Sequence, residues 1–164
     1  MIQILLWAPL AAGLISCLFP GRLCAWVATL GSLVSLVLAI AIVIGFDPSG
    51  GIQHTVDDSW IPTLGVRYEL GIDGISLFLV LLTAVLWFAA TLWSAFNPPE
   101  RERAYFLMFG LAETAVLGAF CAQDLILFVL FFDLMLIPFY FLFGSWGTVH
   151  PGRPEEGEGP IRPN

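Results

Sequence analysis

The sequence predicts an all-α integral membrane protein with five transmembrane helices and its N-terminus outside. A short extended or hairpin element lies between the second and third helices, and a disordered tail follows the fifth. Three observations carry this prediction. Of the 164 residues, 59% are hydrophobic and only 12% charged, with a mean hydropathy of +0.90; soluble domains sit near a quarter charged. The apolar residues gather into five runs of about 20 residues, the length that a hydrocarbon core of ~30 Å requires. All six basic residues are arginines. If the runs alternate in direction, Arg22, Arg101, Arg103, Arg153 and Arg162 fall on one side and only Arg67 on the other. Arginines in short loops mark the cytoplasmic side, so the tail is expected in the cytoplasm and the N-terminus outside.

The first run, about 2–19, contains Pro9 as a kink candidate and stops at Pro20-Gly21. It has no charged leader segment or convincing cleavage site and reads as a retained helix. The second, about 23–46, offers Gly31, Ser32 and Ser35 for close helix packing. A polar stretch follows, with Asp47, Asp57, Asp58 and Glu69 against Arg67 alone. Within it WIPTLGVRYEL pairs a turn-like centre with an alternating run, the pattern of a hairpin or extended strand. Asp73 reads first as the cap of the third helix, about 74–96. Asn97-Pro98-Pro99 ends that helix, and Glu100-Arg101-Glu102-Arg103 makes a charged turn. The fourth helix covers about 104–122. Asp124 reads first as the cap of the fifth, about 125–146. Trp7, Trp26, Trp93 and Trp146 fall near predicted interfaces, as an aromatic belt requires. Residues 1–147 thus form one membrane region. The tail, 148–164, is rich in proline, glycine and glutamate, with little to bury, and is expected to be disordered.

Two acids stand out. Asp133 sits in FFDLMLIPFYFLFGSWG, five residues before Pro138, and Glu113 sits in GLAETAV. A charged side chain at the bilayer centre costs ~3 kcal/mol or more, so such residues usually face protein or a wet cavity and serve a function. Pro138 has no N–H, which leaves the carbonyl of Leu134 without its helical partner. Asp133, Ile137, Tyr140 and Gly144 share one helix face by their spacing. At ~1.5 Å per residue, both carboxylates fall within a few ångströms of the midplane, which suggests a buried polar path. Gly110, Thr114, Gly118 and Ala122 recur every four residues and allow a close helix contact. Packing readings stand beside these: either acid can hydrogen-bond a neighbouring helix for cohesion alone, and Tyr140 is more often a core aromatic than a proton relay.

Cys17, Cys24 and Cys121 lie in or beside apolar spans at no metal-ligand spacing and read as small core hydrophobes, with no metal or disulfide expected. His54 and His150 have no partner at useful spacing. The chain carries no glycine-rich phosphate loop, no Cys-x-x-Cys pair, no Ser/His/Asp arrangement and no basic nucleic-acid patch.

SWIPTLGVRYELGIDGISLFLVLLTAVL and AQDLILFVLFFDLMLIPFYFLFGSWG resemble the M subunit of bacterial respiratory complex I, the proton-pumping NADH:quinone oxidoreductase, whose mitochondrial counterpart is NADH dehydrogenase subunit 4. The resemblance covers about 1–147, and the LIPFYFL pattern with Pro138 and Tyr140 is specific to it. It implies the first five helices of a fourteen-helix subunit with two inverted antiporter-like repeats. Such a subunit sits in the bacterial cytoplasmic membrane beside L- and N-type subunits. It holds no cofactor itself; NADH, FMN, iron–sulfur clusters and quinone belong to other subunits. By motif match, Asp133 stands where the family has a proton-handling glutamate paired with a lysine on helix seven, and Glu113 matches an acid common on helix four. Tyr140 and Pro138 are a candidate relay residue and a candidate helix kink. The aspartate shortens the reach by ~1.5 Å, a displacement that matters where geometry is critical. Family members continue after the Gly147 turn with a basic segment and a further helix, where this chain has an acidic tail. That difference predicts a reading frame truncated near Thr148, and a chain that does not pump alone. The rival readings are a subunit of a cation/proton antiporter or membrane-bound hydrogenase complex, or a structural remnant.

Overall fold

The computed structural model describes residues 1–47, 49–61 and 66–147. The tail expected to be disordered, 148–164, lies outside them. Five helices and one hairpin follow in chain order: α1 Ile2–Ser16, α2 Arg22–Gly45, β1 Gln53–Ile61, β2 Val66–Ile72, α3 Gly74–Phe96, α4 Glu102–Cys121 and α5 Leu125–Trp146.

Among the described residues four helices, α2 to α5, are long and apolar enough to cross a bilayer. The first is shorter than its sequence suggests. It ends at Ser16 instead of running to Phe19, and the chain tightens into successive three-residue turns, in which Cys17 N–H bonds Leu14 O and Phe19 N–H bonds Ser16 O. Pro20 is the physical reason, because its ring disfavours helical geometry at the residue before it. Gly21 then takes a positive φ of 61°, open to glycine without strain. With 15 residues at ~1.5 Å each, α1 spans only ~22 Å. The charged turn before α4 is shorter than expected, since α4 already begins at Glu102.

The starts of α3 and α5 are capped as their sequences suggest. Asp73 accepts from the N–H groups of Ile75 and Ser76, at 3.0 and 2.7 Å, while Ser76 Oγ accepts from Asp73 N–H. Asp124 accepts from Ile126 and Leu127 N–H. These bonds satisfy N–H groups that have no partner inside the helix.

α4 is the centre of the bundle. It packs against α1, α2, α3 and α5 and touches β2, and it is buried almost continuously from Gly110 to Cys121. The four-residue stripe on α4 is divided among several partners. Gly110 meets the backbone of Pro9 and Gly13 on α1, Gly118 meets the Phe131 ring on α5, and Ala122 bridges to Leu70 of β2. Gly31 of α2 meets Ala12 of α1 in the same close fashion. α5 is the most peripheral helix and buries only Leu127, Phe131 and Pro138.

β1 and β2 pair antiparallel, so the predicted hairpin forms, and its first strand begins at Gln53, earlier than the alternating run implied. The hairpin lies over one end of the bundle. There Gln123 N–H bonds Glu69 O and Gln123 Nε2 bonds Gly71 O at 3.2 Å. Arg67 pairs with Asp57 across the strands, Nε to Oδ1 at 2.9 Å. Alternating helix directions place Arg22, Arg101 and Arg103 at the opposite end.

Candidate functional site

Mid-membrane polar groups are where chemistry is expected in such a chain. Glu113 is the twelfth residue of α4 and is fully buried. It points toward α2, where Ser32 Oγ donates to its Oε2 at 2.7 Å. Ser32 Oγ also lies 3.1 Å from Thr91 Oγ1 of α3, and the Thr91 hydroxyl donates to Trp87 O one turn back. Glu113 therefore joins three helices through two hydroxyls. Its second oxygen, Oε1, is buried without a hydrogen-bond partner among the described residues. Leaving such an atom bare costs ~1–3 kcal/mol.

Local sequence explains why hydroxyls meet there. Thr29, Ser32 and Ser35 recur every three residues on α2, all buried, and so line one face. Thr91 and Ser94 do the same on α3. Nearby, α1 contributes backbone. Pro9 cannot donate to Leu5 O, and Ser35 Oγ lies 3.5 Å from that carbonyl. Leu10 N–H donates to Thr114 Oγ1 at 3.1 Å. The centre of the bundle is thus a polar seam of α1 backbone, α2 and α3 hydroxyls and the α4 carboxyl.

Asp133 lies elsewhere. It is the ninth residue of α5, and its side chain is exposed, as are those of Ile137 and Tyr140, the last at 76%. Gly144 shares that outer face. The face predicted to look into protein or a wet cavity is uncovered in this chain, because α5 turns its Leu127, Phe131 and Pro138 stripe toward α4. Pro138 is buried within a helix that continues to Trp146. Among the described residues no hydrogen bond joins Asp133 or Tyr140 to another side chain, so the polar path suggested between the two acids is not closed. Sequence alone does not single out Ser32, Thr91 and Ser94 as neighbours of the buried acid. Three-residue spacing of hydroxyls on α2 and α3 is the available signal, and the sequence marks Ser32 only as a small packing residue.

The three cysteines are free thiols, with Cys24 and Cys121 buried. Among the described residues no group of three or more His, Cys, Asp or Glu side chains is placed to hold a metal.

No family model matches the chain. It is similar to "NADH-quinone oxidoreductase subunit M" of Rhodobacter capsulatus, 39% identical over 74% of this chain and 23% of that protein. It is 36% identical to "F(420)H(2) dehydrogenase subunit M" of Methanosarcina mazei, over 72% of this chain and 24% of that one. The chain thus spans about a quarter of the length of these curated relatives. In fold it matches a chain of respiratory complex I from Thermus thermophilus, with a TM-score of 0.76 and 27% identity, covering 89% of this chain and 29% of the other. In both sequence and fold, then, the chain is similar to a portion of NADH-quinone oxidoreductase subunit M, and it has the fold of a complex I membrane subunit.

Proposed function

We propose that the chain is a membrane-arm element of an NADH:quinone oxidoreductase of the complex I type and contributes to proton translocation. Its five helices lie in the bacterial cytoplasmic membrane beside L- and N-type subunits, with α1 completing its crossing through the turn at 17–19. The N-terminus and hairpin face outward, and the arginine-bearing end faces the cytoplasm. NADH, FMN, iron–sulfur clusters and quinone are bound by other subunits, and this chain does no redox chemistry itself. The relative in Methanosarcina mazei is named for a different electron donor, which accords with a membrane part that does not contact the donor.

The observation that carries this reading is a fully buried mid-helix carboxyl held among hydroxyls of two other helices. Asp133 supplies the second acid. Uncovered, it costs ~3 kcal/mol or more against lipid, so its face calls for a further membrane segment with a compensating cation. In this reading Asp133 exchanges the proton at that contact, Tyr140 and Pro138 shape the same face, and Glu113 serves as the neighbouring relay. Alone, the chain carries no proton flux, because among the described residues no arginine pairs with Asp133.

Two measurements test this. The chain should co-purify with complex I membrane subunits from its host, and Asp133→Asn introduced there should lower proton pumping in membrane vesicles by 10-fold or more, with Asp133→Glu retaining it. A chain that co-purifies with antiporter subunits instead, or an Asp133→Asn variant that pumps normally, overturns the reading. Proton flux through the reconstituted chain alone that depends on Asp133 would overturn the last clause.

A further inference from the structure

Between Glu113 and the arginine-bearing end of the bundle runs a line of hydroxyls that the translocation reading leaves unused. From the inside outward it comprises Ser32 Oγ, 2.7 Å from Glu113 Oε2; Thr91 Oγ1, 3.1 Å from Ser32; Ser94, one turn further along α3; and Tyr105 OH, 3.0 Å from Ser94 Oγ. Ser32, Thr91 and Ser94 are all at least nine-tenths buried. Ser94 and Tyr105 also line an open groove of about 480 Å³, with Trp93, Asn97, Glu100 and Trp146 among its walls. We infer that Tyr105, Ser94, Thr91 and Ser32 form a proton wire that connects Glu113 to the surface at the arginine-bearing end.

Hydrogen counting supports a wire over a passive cluster. Each hydroxyl has one proton to donate and can rotate it. With Glu113 ionised, Ser32 donates to Oε2. The Ser32–Thr91 contact then needs the Thr91 proton, which also has Trp87 O as an acceptor. With Glu113 protonated, one unbroken order satisfies every contact: Glu113 to Ser32, Ser32 to Thr91, Thr91 to Trp87 O. The two charge states of Glu113 therefore correspond to two orientations of the same hydroxyls. A proton arriving at Thr91 Oγ1 releases the proton Thr91 held to Ser32, and Ser32 passes its own to the carboxylate. One O–H bond forms and one breaks at each hydroxyl, and the net change is one proton on Glu113. Between Thr91 and Ser94 the gap is a single helical turn, ~5–6 Å between Cβ atoms, and the wire requires one water to bridge it.

This inference rests on the reading that Glu113 takes up protons, but not on assembly with other subunits. Its test is hydrogen–deuterium exchange of the Glu113 carboxyl, followed by infrared absorption of its protonated C=O stretch. The full chain is embedded in phosphatidylcholine nanodiscs at acidic pH, and the band is assigned by its loss in Glu113→Gln. Ser32→Ala and Thr91→Val should slow exchange of that band at least 10-fold, Tyr105→Phe should slow it less, and Ser32→Thr, which keeps the hydroxyl, should restore it. Circular dichroism confirms that each variant keeps its helices. Unchanged exchange in Ser32→Ala and Thr91→Val, or slowing in Ser32→Thr equal to that in Ser32→Ala, overturns the wire. A pumping failure at Asp133 would leave this readout untouched, so the two readings fail separately.

Discussion

Asp73 shows how much one carboxylate outside the membrane can do. Donation from the Ser76 N–H, aided by the Ser76 hydroxyl and the Ile75 N–H, holds its carboxyl below the ordinary value of 3.8, against a smaller opposing effect of burial. The folded form thus prefers the ionised cap. Its contribution is present above the unfolded value and fades as pH falls through the lower folded one. Asp73→Ala should cost about 1 kcal/mol near neutral pH. That difference should shrink below pH 3.8, as read by thermal unfolding in detergent micelles followed by circular dichroism across pH. This residue's role was legible from sequence, because a cap depends only on neighbours two and three positions away. Glu113 was legible only as a candidate. Its type and depth follow from the chain, but its partner Ser32 lies 81 residues distant, and nothing local points to it.

Among the elements, α1 and α4 illustrate how small residues set helix distance. Without a hydrophobic force between helices in lipid, close backbone approach and van der Waals packing hold them together. A Cβ added at Gly110 would come within 2.5 Å of Pro9 O, a backbone atom with no rotamer to escape into. Gly110→Ala should therefore separate α1 from α4 and cost about 1–3 kcal/mol, as overpacking does, read as a lower unfolding temperature in micelles. Gly45→Ala meets nothing within 4 Å and should be neutral or slightly stabilising under the same assay. The repeat of small residues on α4 was visible in the sequence. Its division among α1, α5 and β2 was not, because spacing identifies a face without saying which neighbours share it. The end of α1 at Ser16 was likewise hidden, since Leu18 and Phe19 are as apolar as the helix before them.

At the scale of the whole molecule, arginine is unevenly distributed along the bundle. The hairpin carries Asp57, Asp58 and Glu69 against Arg67 at one end, and Arg22, Arg101 and Arg103 sit at the other beside Glu100 and Glu102. With Cys17, Cys24 and Cys121 replaced by serine, a cysteine placed by Asp58→Cys should react with an impermeant maleimide added to intact cells. One placed by Glu100→Cys should react only after lysis. The reverse pattern would invert the proposed topology. By itself the sequence determined that the chain is a helical membrane protein, roughly where its apolar runs begin, which acids cap helices and which two lie mid-helix. These follow from composition, run length and contacts within a few residues. Only the tertiary structure decided which way each helix faces: that Glu113 turns into a seam of hydroxyls, while Asp133 and Tyr140 turn away from the other four helices. A bilayer is as apolar as the interior it surrounds, so a helix such as α5 is apolar around most of its circumference and carries no stripe to mark its buried face.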